Sequence, residues 1–184
     1  MQTLPELLPG RFLALLAPHA AGQAMLALAA RLARRGPLQV IDGGNRFNAY
    51  RVARALRSQS GDGLAVSLGR IYVARAFTCY QMAALLEQTA PGAVPLLVID
   101  LLDTFYDQSV PLSERRRLLV GCVERLRLLS QGTEIATATL VIASLRPPRP
   151  PQTDPTGLLQ TVQAAADQVW FQEEDLPSLP PRLL

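Results

Sequence analysis

Lysine is absent from this chain: all 18 basic residues are arginine, set against 15 carboxylates, and His19 is the single histidine. Phosphate-handling motifs that require a lysine therefore cannot be present in complete form. Cysteine is scarce as well. Cys79 and Cys122 both fall inside apolar helical patterns and read as buried thiols in a reducing cytoplasm, not as a disulfide or a metal pair. A zinc site needs more ligands than two cysteines and one histidine supply. The amino-terminal stretch lacks the charged start and unbroken apolar core of a signal peptide, and no run approaches the roughly 18 apolar residues of a membrane span. The expectation is a soluble cytoplasmic protein without membrane contact. Its net charge of +3 and pI near 9.3 permit contact with nucleic acid without demanding it.

What is present is apolar side chain in quantity, 49% of 184 residues, enough for one covered core and too little for two. The organising stretch is Val94-Pro95-Leu96-Leu97-Val98-Ile99-Asp100-Leu101-Leu102-Asp103. An apolar run without alternation reads as a strand covered on both faces, the interior of a parallel sheet flanked by helices. Asp100 then falls at the strand's carboxyl end, the edge where open α/β sheets bind ligands.

The other elements follow in chain order. Phe12 to Ala17 is a first strand, and Pro18 to Gly22 is a turn into a helix from Gln23 to Arg35 that Gly36-Pro37 ends. Leu38 to Asp42 is a second strand, leaving through Gly43-Gly44-Asn45 to a helix carrying Tyr50, Val52, Ala53 and Leu56. Ser58 to Gly63 reads as a surface loop and Ile71 to Ala74 as a third strand. Thr78-Cys79-Tyr80-Gln81 has the capping-box pattern of a helix running to about Gln88. After the central strand comes a polar loop from Thr104 to Val110, and then a long helix with Pro111 near its first turn. Its apolar stripe is Leu118, Leu119, Cys122, Val123, Leu126 and Leu129. Thr139 to Ala143 is a fifth strand, Ser144 to Pro151 a proline-rich segment, Gly157 to Ala166 a helix, Gln168 to Phe171 a last strand, and 173–184 a loose tail. Alternating strands and helices predict a three-layer, doubly wound, mostly parallel α/β sheet in one domain over 1–184.

Three stretches give this layout a likeness to a known family. They are Ile41-Asp42-Gly43-Gly44-Asn45-Arg46-Phe47, Arg70-Ile71-Tyr72-Val73-Ala74-Arg75-Ala76-Phe77-Thr78, and Leu96 to Asp100. Together they resemble the ATPase core of the RecA-like recombinases over about residues 10–172, with Asp100 as the Walker B aspartate. The resemblance implies a phosphate loop between the first strand and helix, where the matching window is Ala17-Pro18-His19-Ala20-Ala21-Gly22-Gln23-Ala24. Gly22 is kept, but Gln23 replaces the lysine and Ala24 replaces the hydroxyl that holds Mg²⁺. The family's water-positioning glutamate matches Gly44. A site without that lysine, hydroxyl and base has lost most of the electrostatic stabilisation of phosphoryl transfer.

The resulting expectation is a non-catalytic RecA-like protein, a pseudo-ATPase with no catalytic residue and no required cofactor. Weak ATP binding through backbone amides at the helix N-terminus is left open. It would serve as an accessory or regulatory subunit in DNA repair or recombination, assembling with itself or with another RecA-like protein. The loops that face DNA in the family match positions near Arg115, Arg116, Arg117, Arg146 and Arg149, which become candidate phosphate contacts. Two other readings stand beside it. One is a Mg²⁺-dependent nuclease or phosphoesterase using Asp42, Asp100 and Asp103; the other is a DNA-binding module that works without partners.

Overall fold

Alternate side chains along each strand divide between two apolar layers, and this division builds the molecule. In the computed structural model, which describes residues 9–16, 21–57, 63–132, 138–146 and 157–171, the strands are β1 (Arg11–Leu16), β2 (Leu38–Asp42), β3 (Ile71–Arg75), β4 (Leu96–Ile99), β5 (Leu140–Leu145) and β6 (Gln168–Phe171). They form one six-stranded sheet in the order β3-β2-β4-β5-β1-β6, with every pairing parallel.

The helices are α1 (Ala21–Arg35), α2 (Ala49–Arg57), α3 (Leu64–Gly69), α4 (Cys79–Gln88), α5 (Leu112–Gln131) and α6 (Leu158–Ala165). Phe12, Ala14, Leu96, Val98, Val141 and Ala143 pack toward α4, α5 and α6. Leu13, Leu15, Leu97, Ile99, Leu140 and Ile142 pack toward α1 on the other face, with α2 and α3 against α1. Connections that run toward β3 place their helices on one face and those that run back place theirs on the other, as right-handed crossovers require. The result is a three-layer α/β fold. The chain leaves β2 toward β3 and β4 toward β5, so the strand order switches direction between Asp42 and Asp100 at the carboxyl edge.

Several local features follow from named groups. The Thr78 hydroxyl accepts the Gln81 N–H at 3.2 Å, and Gln81 Oε1 accepts the Phe77 N–H at 2.8 Å, one residue before the expected partner. Arg125 reaches from α5 to the last carbonyls of α4, Leu86 and Glu87. Cys79 and Cys122 are free and buried. No helix among the described residues is long and apolar enough to cross a membrane.

The structure departs from the expected boundaries in three places. Strand β4 stops at Ile99, and Leu101–Phe105 is a 3-10 helix where the polar loop was expected to begin. Asp100 takes the left-handed conformation (φ 51), which ends the strand. Strand β5 continues through Ser144 and Leu145, both fully buried, so the proline-rich segment begins later than expected. The short helix α3 was not anticipated: its six residues bury no side chain fully and make no side-chain cap.

Candidate functional site

The site grows from two aspartates on neighbouring strands. Asp42 ends β2 in register with Ile99 of β4, so Asp100 lies one residue further out on the adjoining strand. Both are buried. Between them the turn after β2 folds down onto Asp100: a Cβ added to Gly44 would lie 2.7 Å from both Asp100 Cβ and Asp100 Oδ2, and one added to Gly43 would lie 2.9 Å from the Asp100 carbonyl. Only glycine allows that approach. Asn45, next in the turn, is with Asp100 one of the two non-glycine residues with positive φ among the described residues.

Each carboxylate is already engaged. Asp42 Oδ1 accepts the Arg46 N–H at 2.9 Å and Oδ2 accepts the Phe47 N–H at 2.8 Å, with Arg75 Nε 3.5 Å away. Asp42 is thus a brace for the turn. Arg75 also donates to the Phe47 carbonyl, fastening β3 to the same turn. At Asp100, the backbone N–H donates to Ser144 Oγ at 2.8 Å and the Ser144 hydroxyl donates to Oδ1 at 3.3 Å. Arg146 Nη2 donates to Asp100 Oδ2 at 2.7 Å and also to Asp103 Oδ2. Arg46 Nε lies 3.9 Å from Asp100 Oδ2 on the outer side. Tyr106 donates its hydroxyl to the Arg146 carbonyl, holding that residue's backbone.

Asp42, Asp100 and Asp103 therefore meet Arg46, Arg75 and Arg146, three negative charges against three positive. The edge neutralises itself. Both Asp42 oxygens and Asp100 Oδ2, which a divalent cation would need, are engaged by amide and guanidinium donors. No group of three or more His, Cys, Asp or Glu side chains placed to hold a metal occurs among the described residues.

Of the arginines expected to face nucleic acid, the described ones have different surroundings. Arg115 is buried and donates to the Phe105 carbonyl at 3.0 Å, tying the first turn of α5 to the 3-10 helix. Its side chain is drawn inward because the stripe Leu119, Cys122 and Leu126 sets that side of α5 against the core. Arg116 is exposed. Arg117 forms a two-point bridge with Glu114 at 2.8 Å, which pushes the Glu114 carboxyl below its usual range and the guanidinium further up. Arg146 is the partner of Asp100, not a free phosphate contact. Arg149 and the turn residues Pro18, His19 and Ala20 lie outside the described residues. Ala21 and Gly22 begin α1; in its first turn Gln23 is exposed and Ala24 is half-buried.

Sequence reasoning did not find Arg46, Arg75 or Ser144 as site residues. The first two stand in the stretches that carry the family likeness, and the signal that could have found them is an arginine immediately after or before each glycine-rich or strand-end turn. Comparison of the sequence with protein-family models finds no match, and comparison with curated proteins finds none either.

Proposed function

We propose that the chain is a RecA-like core that no longer hydrolyses nucleotide and acts as an accessory subunit through protein assembly. The observation that carries the reading is the state of Asp100. The carboxylate that would hold Mg²⁺ in a working site is held by Arg146, with Arg46 and Ser144 around it. A guanidinium fixed there supplies at Asp100 Oδ2 the positive charge a metal would bring. Gln23 offers a neutral amide and Ala24 a methyl at the start of α1, so neither the phosphate charge nor the metal ligand is replaced from that side. The all-parallel sheet, with the carboxyl ends of β1, β2 and β4 at one edge, supports the fold half of the reading.

Assembly is supported by β3. It is an edge strand whose Tyr72 and Val73 are exposed, with Phe77 and Tyr80 exposed just beyond it. An unpaired strand bearing large apolar side chains is a template for another chain, either a second copy or another RecA-like protein. Two measurements test the proposal. Titration with ATP and Mg²⁺ should give no turnover, and hydrolysis that disappears in Asp100→Ala overturns the catalytic half. Sedimentation of the purified chain, alone and with a RecA-like partner, should reveal an associated species that Val73→Pro breaks up.

The metal-dependent nuclease reading has no comparable support, since Asp42 is committed to the turn amides and Asp100 to Arg146.

A further inference from the structure

We propose that the face formed by α1, α2 and α3 binds the phosphate backbone of nucleic acid without reading its sequence. Charge is divided unevenly along the chain. Residues 1–75 hold ten arginines against Glu6, Asp42 and Asp62, a balance of +7, whereas residues 76–184 hold eight arginines against twelve carboxylates, a balance of −4. On the helices the division is sharper: α1, α2 and α3 contain no aspartate or glutamate at all. Arg31, Arg34, Arg35, Arg51, Arg54 and Arg57 all stand exposed on α1 and α2. The carboxylate of Asp42, between those two helices in sequence, is buried and spent on its own turn.

The two helices form one ridge. Leu26 and Ala30 of α1 pack against Val52 and Leu56 of α2, and both helices leave the carboxyl edge of a parallel sheet, so they run in the same direction. Between them lies a groove of about 430 Å³ lined by Gln23, Leu26, Ala27, Arg51, Arg54 and Ala55. Its floor is small and apolar and its lip is guanidinium. At 1.5 Å per residue the 15 residues of α1 extend about 22 Å, the length of roughly six phosphates on one strand of a duplex.

Helix stability does not account for this arrangement. Arg34, Arg35, Arg54 and Arg57 stand in last turns, where the macrodipole favours them, but Arg51 stands in the first turn of α2, where it does not. Arg51, Arg54 and Arg57 also follow at i, i+3 spacing and repel one another. A polyanion removes both penalties. Guanidinium forks match phosphate oxygens in pairs, and Tyr50, 71% exposed beside Arg51 and Arg54, supplies a ring on which a base can stack. An anionic bilayer would need a continuous apolar wedge, and the face offers only Tyr50 on α2 and Val66 on α3 as exposed large apolar side chains. An acidic protein would need a broad apolar centre to the interface, which a floor of Leu26, Ala27 and Ala55 rimmed by arginine does not give.

The test uses the full chain with a fluorescent single strand or duplex of about 25 nucleotides, followed by anisotropy between about 50 and about 200 mM NaCl. Binding should weaken steeply with salt. Replacing Arg51, Arg54 and Arg57 together by glutamine should lower affinity about tenfold or more and flatten the log–log salt slope by roughly 2 to 3. Arg127→Gln, on α5 across the sheet, should change neither. If the triple variant fails to fold by circular dichroism, Arg51→Gln alone should flatten the slope by roughly 1. No binding at the lowest salt, an unchanged slope in the folded variants, or tighter binding to polyglutamate or phosphatidylserine vesicles than to either nucleic acid overturns the proposal. It does not rest on the assembly reading: ATP turnover or a monomer in the centrifuge would sink that reading and leave this one standing.

Discussion

Arg146 Nη2 lies 2.7 Å from Asp100 Oδ2, with the two side chains 15% and 4% exposed. A nearly buried carboxylate is stabilised here by a nearly buried guanidinium that Asp103 also engages. Removing one member of such a pair leaves the other charged and desolvated. Arg146→Met should therefore cost about 3 to 5 kcal/mol in urea unfolding, and adding Asp100→Asn to that variant should recover part of the loss. A double-mutant cycle with no coupling would show that the two groups act independently.

Gly44 tests the same contact from the opposite side. With no positive φ to release, alanine at this position brings a methyl to 2.7 Å from Asp100 Oδ2 and no other penalty. Overpacking against a carboxylate already fixed by Arg146 and Ser144 predicts destabilisation of about 1 to 3 kcal/mol for Gly44→Ala. Gly69→Ala, where a Cβ meets nothing within 4 Å, is the control and should leave the unfolding midpoint near that of the parent chain.

The strands were legible in the sequence because apolar runs such as Leu96 to Ile99 and Phe12 to Leu16 suit a doubly covered sheet. The long helix was legible through the stripe from Leu118 to Leu129, whose members are all buried except the half-buried Leu118. The site was legible only in outline. Asp42 and Asp100 were placed at the correct edge, but the identity of their partners depends on strand order, which local periodicity does not encode. Arg146 meets Asp100 across 46 residues because β5 lies beside β4. The same limit applies to Arg115: a run of three arginines looks solvated in sequence, yet α5 is rotated so that the first of them faces the core.

Asp42 separates a structural carboxylate from a metal ligand. Asp42→Ala leaves the Arg46 and Phe47 amides without acceptors and Arg75 without its counter-charge. Two part-buried donors left without acceptors predict a loss of about 1 to 3 kcal/mol. The parent chain should show no rise in thermal midpoint with Mg²⁺ or Mn²⁺, since a ligand that does not bind the native state cannot stabilise it. A midpoint that climbs with metal in the parent and not in Asp42→Asn would restore the nuclease reading.

Cys122 gives the chain a defined response to alkali. Burial pushes its thiol up from 9.0 to about 12, and burial raises the Cys79 thiol as well. Thiolate is the reactive form, so at about pH 8 both cysteines should resist Ellman's reagent in the native chain and react promptly in urea. The sign of the stability effect follows from proton binding. Above about pH 9 the unfolded chain loses the Cys122 proton while the folded chain keeps it, so stability present below that pH declines as pH rises toward about 12. The decline from this one group is at most about 1.4 kcal/mol per pH unit. Tyrosines ionise in the same range, so the measurement is a difference: the urea midpoint of the parent should fall more steeply between about pH 9 and about pH 11 than that of Cys122→Ala. Equal slopes in the two proteins would mean that the thiol is ionised or solvated in the native state, against the packing of Cys122 with Cys79 and Leu126 in the core.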